Sequence, residues 1–498
     1  MLGPTQPISD YRDTDIAVIV TVKWAGRTWY LSSQEITGDD FHALPGLLDI
    51  PDVDDEISLS SVDAGVTVPI GVVLPIVVAD YVGAGHDLAD MTAEIAWVWH
   101  RRGVMAHPWS ARDVRAEGDL DDPQYGDPSM PTGWVGASVV DSPYRTVRPI
   151  VRRTWAVTST TWPSAPDDSM DERYPLVIGA PDPQVTGEGP PAIVVEVSGT
   201  DAQTVVVSIG WCLATFCTIV DGDGASVTLP IEYRSDGLGQ TCAVCDVSGS
   251  GATIDLTSTF TSAWDADPAL TPFGSTSPIH VAAYLLSLGG ADIDLPEWVR
   301  TGALLGLSVA GWVDDPDTQG WEVARDILQG LPVSTRRDRD GWSPVLIDPA
   351  LASSLYEHTW TDSGPWRRAS SWQGTGDTRI TRAEVTSPAS ETVAGASTVP
   401  DAPLPHAWAR HLPRQSESSV TSSWSWSETT DRRAVGWSLR IGALGWVAAA
   451  WGVPAPWARA RSGDFVYLSD LNRYVQIQRR TVKDGIVDYT TIAPAGDY

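Results

Sequence analysis

A mainly β, multidomain architecture with a smaller α+β segment is what this sequence predicts, on three observations. The chain has 498 residues, more than one hydrophobic core serves, so about three or four domains of ordinary size are expected. Short runs of alternating apolar and polar residues, broken by Gly, Asp and Pro, fill both ends. Helical periodicity is clearest between Pro278 and Leu331. A hydrophobic share of 42% against 19% charged residues belongs to folded chains and not to disordered ones.

The first 180 residues or so are all-β in character. Ile16 to Trp24 and Thr28 to Leu31 flank Ala25-Gly26 as a hairpin, and Thr92 to Trp99 places Ala93, Ile95, Trp97 and Trp99 on one face. Asp121 to Pro128 is rich in Asp, Pro and Gly and reads as a loop. Between Ala192 and Phe260 come short strands at Ile193 to Val197, Thr204 to Ile209, Thr218 to Val220, Val227 to Tyr233, Ala243 to Val247 and Thr253 to Leu256. Together they describe a small sandwich or barrel.

Pro278 to Ile347 has the order helix, helix, strand, helix, hairpin. Pro278 to Leu286 is a helix closed by Gly289-Gly290, and Asp294 caps the next, with Pro296 tolerated in its first turn. Leu307, Val309, Gly311 and Val313 alternate as a strand. Asp317 is expected to cap a third helix whose Trp321, Ala324, Leu328 and Leu331 share a face and which ends at Gly330 and Pro332. Val333 to Thr335 pairs with Ser343 to Ile347 across Asp340-Gly341, a dipeptide suited to positive φ.

Residues 362–428 are rich in Ser, Thr and Pro and read as loops joining one or two strands, Thr378 to Val385 the clearest. A helix is expected near Ala434 to Trp451, its apolar part running from Ile441 to Val453, which is too short to span a bilayer of ~20 residues. Gly463 to Leu468, Tyr474 to Thr481, a turn at Lys483-Asp484-Gly485 and Ile486 to Thr491 close the chain as strands.

Gly320-Trp321-Glu322-Val323, then Ile327 to Val333 with its Leu331-Pro332 stop, then Asp340-Gly341-Trp342-Ser343-Pro344-Val345, is similar to the middle of bacteriophage tail hub proteins and of the gene transfer agent hub. Tyr174-Pro175 to Gly179, Asp236-Gly237-Leu238-Gly239-Gln240 and Gly463-Asp464-Phe465-Val466-Tyr467-Leu468 extend the resemblance to both flanks. It implies an N-terminal β-barrel hub domain at 1–180, an inserted β-sandwich or barrel at 181–275, a central α/β hub domain at 276–350 and, at 351–498, loops, a helix and a second tail-tube-like β-barrel. It further implies a virion structural protein at the distal end of a siphophage tail, made in the host cytoplasm. Its two barrels per chain would let a homo-trimer imitate six-fold symmetry. The partners implied are the distal tail protein or tail tube ring, the tape measure, and a central fibre or receptor-binding protein of the tail-tip baseplate.

Charge adds an independent constraint. Residues 1–350 carry 18 basic and 50 acidic side chains, a balance of −32, whereas residues 351–498 carry 15 and 14, a balance of +1. A surface this negative repels phosphates over about a Debye length of ~8–10 Å, which excludes sequence-specific nucleic-acid readout and suits a channel through which DNA passes during ejection. The alternative reading of the acidity is that it keeps the protein soluble or marks a salt-tolerant source. Met1 to Asp15 lacks the basic start and apolar core of a signal peptide.

Chemistry-bearing residues are few. Cys212, Cys217, Cys242 and Cys245 are spaced C-x4-C and C-x2-C, a set that could hold zinc or, as the resemblance implies for some hubs, an iron–sulfur cluster. Against this, Cys242 and Cys245 fall on a strand, where residues three apart face opposite ways, so buried free thiols or disulfides are the plainer reading and no metal or cofactor is expected. Trp97, Trp99, Trp298, Trp321 and Trp342 lie in phase with core positions, while Trp424 and Trp426 sit in the Ser-rich stretch as candidate sugar contacts. His406 and His411 lack the Glu of a metallohydrolase, and Asp221-Gly222-Asp223-Gly224 lacks the later ligands of a calcium loop. No nucleophile elbow, phosphate loop or dinucleotide fingerprint is present, so no catalytic residues are expected. The rival readings are a tail-associated cell-wall hydrolase, which a paired-carboxylate or zinc pocket would mark, and a Trp-rich carbohydrate-binding module, which coplanar exposed tryptophans would mark.

Overall fold

The computed structural model describes residues 14–39, 41–48, 55–56, 66–141, 149–152, 154–179, 181, 189–210, 216–221, 225–248, 261–264, 276–338, 340–361, 366–368, 370, 373–374, 382–387, 390–395, 417–422, 424–426, 428–444, 446–454, 458–483 and 486–494. The fold is mainly β and multidomain, with a closed six-strand barrel and a half-barrel. β1 (Asp15–Trp24) and β2 (Arg27–Ser32) join through Ala25 at φ 49 and Gly26 at φ 72, the two positive values that a two-residue hairpin turn needs. β3 (Ile36–Thr37), β4 (His42–Pro45), β5 (Asp55–Glu56), β6 (Val66–Val73), the short helix α1 (Val78–Gly83), β7 (Thr92–Arg101), β8 (Val104–Met105), β9 (Asp113–Tyr125) and β10 (Trp134–Asp141) follow.

Pairing in the order β1-β2-β4-β3-β8-β7, with β7 returning to β1, closes the ring of six. Each of those strands contributes to one core: Ala17 and Ile19, Tyr30, Ile36, Ala43, Val98 and Met105. β9, β10 and β6 extend the sheet from β7 and curl back, with the Val73 amide donating to Gly46 O at 2.6 Å and Leu48 to Gly71 O at 3.0 Å. They enclose a second core of Val18, Val20 and Val22 with Ile70, Val72, Ile95 and Val135. Thus β1 is apolar on both faces because it is shared by two cores.

β11 (Leu176–Ile178) precedes a six-strand sheet of β12 (Ile193–Ser198), β13 (Asp201–Ile209), β14 (Phe216–Val220), β15 (Ser226–Ser235), β16 (Thr241–Asp246) and β17 (Thr261–Trp264), in the order β12-β13-β16-β15-β14-β17. The expected strand at Thr253 to Leu256 lies outside the described residues. Next come α2 (Pro278–Leu288), α3 (Leu295–Leu305), β18 (Val309–Val313), α4 (Gly320–Leu328), β19 (Val333–Asp338) and β20 (Gly341–Leu346). The Asp294 carboxylate accepts from the Glu297 amide at 3.3 Å and so caps α3. Gly341, at φ 121, serves the β19–β20 turn.

One cap is corrected. Asp317 does not cap α4; the cap position is Gln319, in extended conformation with no side-chain bond. Asp315 Oδ1 accepts from the Asp317 amide at 2.9 Å, which closes a turn before the helix. The helix starts later because Thr318 and Gln319 run against residues 149–150, Gln319 extended and the Ile150 amide donating to Thr318 O at 3.1 Å.

The C-terminal region also departs from expectation. After α5 (Ala352–Leu355) come β21 (His358–Trp360), β22 (Arg367–Arg368), β23 (Gln373–Gly374), β24 (Arg382–Ser387), β25 (Ser390–Gly395), β26 (Glu417–Thr421) and β27 (Ser425–Trp426), more strands than the one or two expected there. α6 (Glu428–Leu444) is followed by β28 (Trp446–Pro454), β29 (Phe465–Leu468), β30 (Arg473–Lys483) and β31 (Ile486–Pro494). The expected helix through Trp451 is therefore wrong beyond Leu444. Trp446 to Pro454 pairs along its whole length with Ile486 to Pro494, and Val447, Ala449, Trp451 and Val453 alternate into the core. Ladder bonds and alternate burial outweigh the helical preference of three alanines.

β21-β29-β30-β31-β28-β22 form the half-barrel, and β5 from the N-terminal region bonds to β30 through Glu56↔Arg479. β18 pairs with β11 on one edge and β27 on the other, so one small sheet joins three distant segments. The largest core likewise runs from Ile150 to Val435. Among the described residues no helix is long and apolar enough to cross a membrane.

Gly302 on α3 sits against the His280 ring of α2, where a Cβ would meet His280 Cδ2 at 2.2 Å. An exposed helical Gly→Ala change gains up to about 1 kcal/mol, but here overpacking costs about 1–3 kcal/mol. Gly302→Ala is expected to lower the urea midpoint, and a rise would refute this packing.

Candidate functional site

Three of the four cysteines are described, and all are buried free thiols. Cys242 and Cys245 lie on β16, whose pairing with β15 is regular, so they face opposite sides; Cys217 lies on β14. Cys212 lies outside the described residues. Cys217 is paired with Leu229 and Trp264, and Cys242 with Ile209 and Arg234, so these thiols do not converge on one ion. Burial, with Asp236 nearby, pushes the Cys242 thiol up to about 12, opposite to what a thiolate ligand needs. Among the described residues no group of three His, Cys, Asp or Glu side chains is placed to hold a metal.

Trp97, Trp99, Trp298, Trp321 and Trp342 are all buried. Trp424 is buried too, packed over Gly311, and presents no sugar platform; the backbone of Trp426 pairs with Val309. His406 and His411 lie outside the described residues. Asp221 closes a turn in which the Ala225 amide donates to its carboxylate at 2.8 Å.

Two motifs that were separate in the sequence meet. The Tyr174 hydroxyl accepts from Trp162 Nε1 at 3.0 Å and has Ala156 O at 3.0 Å and Asp236 Oδ2 at 3.2 Å as acceptors. Asp236 Oδ1 in turn accepts from the Leu238 and Gln240 amides at 2.9 and 2.8 Å. The Asp236 loop also leaves no room for a side chain at Gly237, where a Cβ would lie 1.8 Å from Thr160 O. This cluster fastens the six-strand sheet to the segment carrying Tyr174. Burial raises the Tyr174 phenol well above its ordinary value, so it stays a neutral donor.

The densest charged constellation lies where β9, the β19–β20 hairpin and the half-barrel meet. Arg336 donates to Asp464 Oδ1 at 2.7 Å, Ser462 O at 2.8 Å and Asp338 Oδ2 at 3.1 Å. Arg461 pairs with Asp338, and its Nη2 lies 4.0 Å from Asp113. Arg480 bonds Asp113 at 3.1 Å, and Arg115 bonds Asp113 as well. These two guanidinium groups lie over the Trp97 ring at 4.8 and 4.2 Å. On the other side of the hairpin Arg337 meets Asp292 at 2.8 Å, Glu117 at 3.3 Å and Asp141 at 3.5 Å.

Burial opposes charge at Asp464 and Asp338, but Arg336 with His358, and Arg336 with Arg461, outweigh it and hold both carboxyls below the ordinary range. Burial likewise opposes charge at Arg336 and Arg461, and the facing carboxylates more than restore it. Each of these arginines faces at least one carboxylate, and the pairs tie β9, the β19–β20 hairpin and the half-barrel together. Sequence reading missed these residues, although Asp113-Val114-Arg115-Ala116-Glu117 alternates charge with apolar side chains, a signal for a charged face buried against another charged surface.

No known sequence family matches the chain, and neither does any curated protein. Among solved structures it is similar to a 43 kDa tail protein of a Shewanella oneidensis prophage, with 6% identity over 96% of this chain and 98% of that one at TM-score 0.32. A prophage tail protein from Listeria monocytogenes shares 8% identity over 95% and 94% of the two chains at TM-score 0.33. A chain of the native gene transfer agent virion shares 13% over 50% and 80% at TM-score 0.20. Likeness at this level decides neither the fold nor the role of the chain.

Two outcomes test the clusters. Tyr174→Phe strands the buried Trp162 N–H and is expected to cost about 1–3 kcal/mol in urea unfolding; no loss would remove the fastening role. Asp464→Asn leaves Arg336 half-paired and is expected to cost about 3–5 kcal/mol at neutral pH. Because the folded Asp464 carboxyl is depressed, its stabilisation is complete above the unfolded value of about 3.9 and drains as pH falls further. The gap between variant and native protein should therefore narrow below about pH 4, and a gap that stays constant would contradict the assignment.

Proposed function

We propose that the chain is a structural component of a phage tail tip, a hub ring that closes the distal end of the tail tube and connects it to fibre or receptor-binding parts. The observation that carries this reading is the junction: β9, which pairs with the closed barrel, and the half-barrel are joined through a buried ion network around the hairpin Val333–Leu346. A part that transmits load along a tail needs domains held at one angle, and buried, geometry-specific pairs supply that where flexible linkers would not. The order helix, helix, strand, helix, hairpin from Pro278 to Leu346 supports the hub resemblance. Tail proteins among the similar solved structures agree with it without adding weight.

In this reading three copies form the ring, the domains follow the boundaries 1–180, 181–275, 276–350 and 351–498, and the balance of −32 in residues 1–350 lines a channel that repels DNA phosphates. The distal tail protein or tube ring sits above, the tape measure ends within, and a central fibre or receptor-binding protein sits below. The chain contributes no catalysis.

Antibody–gold labelling of purified particles that carry this chain tests the reading. Label confined to one distal tail end is expected; label on the capsid or along the tail would overturn it. Native mass spectrometry of the purified chain is expected to find three copies, and a strictly monomeric or dimeric species at all concentrations would remove the ring.

A further inference from the structure

We propose that the β7–β8 hairpin is an acid-operated latch: when His100 and His107 take up protons, β8 leaves β3 and the closed barrel opens along that seam. This inference does not depend on the tail-tip reading.

A thin join closes the ring. β8 meets β3 at Thr37↔Val104, with the Thr37 amide and hydroxyl donating to Gly103 O at 2.8 and 3.4 Å. β8 is held to β7 at His100↔Met105 and Arg101↔Val104, whereas β1 runs along β7 from Asp15 to Lys23. Whether β8 stays on β3 therefore depends on the shape of the hairpin, residues 100–107.

Two imidazoles hold that shape. The Gly103 amide donates to His100 Nδ1 at 3.2 Å, and the Trp99 amide donates to His107 Nε2 at 3.1 Å. A backbone N–H can only donate, so each of these ring nitrogens must keep its lone pair and each ring must be neutral. The one proton on each ring has its own place: His107 Nδ1 donates to Pro108 O at 2.9 Å, and His100 Nε2 faces the Gln34 side-chain amide at 3.0 Å. A second proton sets N–H against N–H and breaks the bond to the backbone. Both residues are buried, 3% and 6% exposed, so the new charge also lies out of water.

The charges around the rings do not cancel this. Asp15 on β1 is paired opposite His100, Arg101 and Arg102 follow it on the hairpin, and the nearby Glu35 carboxylate is taken by His42 at 2.7 Å. His107 has the Trp99 ring at 5.7 Å and Asp113 of β9, which Arg115 and Arg480 already share. Burial lowers both imidazoles from the ordinary value of 6.5, against Asp15 at His100 and against Pro108 O and Asp113 at His107. Release of the hairpin returns them toward it. Because the folded values are lowered, the closed form is favoured in full above about pH 6.5 and loses ground as pH falls through the folded values. With one proton gained by each ring, the open fraction rises by up to about a hundredfold per pH unit in that window.

Hydrogen exchange read by mass spectrometry on the full chain, corrected for the intrinsic pH dependence of amide exchange, tests the latch. From pH 7.0 to 5.5 the protection of peptides covering residues 36–38 and 99–106 is expected to fall about tenfold or more, while peptides covering 474–482 of the half-barrel keep theirs. His107→Gln offers the Trp99 amide a carbonyl oxygen that does not titrate, and should cut the protons taken up on opening from two to one. Adding His100→Gln should make the protection of the seam independent of pH. Should a variant not fold, the native imidazoles decide, since both must titrate below about 6.5 by NMR. The proposal is overturned if native protection at the seam stays constant over that range or falls equally in the half-barrel. It is also overturned if the His107→Gln chain loses protection as steeply as the native one, or if either imidazole titrates at or above 6.5.

Discussion

Everything in this chain depends on how five guanidinium groups, on Arg115, Arg336, Arg337, Arg461 and Arg480, are neutralised away from water. Burying a lone guanidinium or carboxylate costs several kcal/mol even after relaxation, so no unit can keep its half of the cluster without the other units in place. Asp113 comes from β9 beside the closed barrel, Asp338 from the central hairpin, Asp464 from the half-barrel. Each arginine therefore reports whether its neighbours have docked. Apolar residues of equal volume would hold the units as firmly; what ion pairs add is direction, because a bond of 2.7 to 3.1 Å is lost within a small rotation.

The same economy of shared elements recurs in the apolar cores. β1 serves two cores at once, β18 is the meeting line of β11 and β27, and Trp97 lies in the second of those cores while its ring carries two arginines of the junction. A chain built this way does not divide cleanly into independently folding pieces. Side chains that belong to two sheets couple the packing of one to that of the next.

Local rules were legible wherever the backbone alone decides. Ala25-Gly26 and Asp340-Gly341 marked their turns because positive φ is a local demand, and Asp294 marked a cap because the Glu297 amide is three residues away. Asp317 misled because the start of α4 depends on residues 149–150, distant in sequence, which hold Thr318 and Gln319 out of the helix. Ile441 to Val453 misled for the same kind of reason. Its alanines favour a helix in isolation, and only the ladder to Ile486–Pro494 makes Trp446–Pro454 a strand.

The sequence by itself determined the mainly β class, the helix-helix-strand-helix-hairpin order, the burial of most of the described tryptophans and the absence of a familiar catalytic motif, because these follow from period, composition and short-range geometry. The tertiary structure alone decided that Tyr174 reaches Asp236, that the alternating charges of β9 face Arg337 and Arg480, and that Thr37 meets Gly103 O to close the ring. Those contacts join residues 62 to 367 positions apart. Which of many charged side chains meet across such distances is set by how whole sheets pack, and no local pattern carries that information.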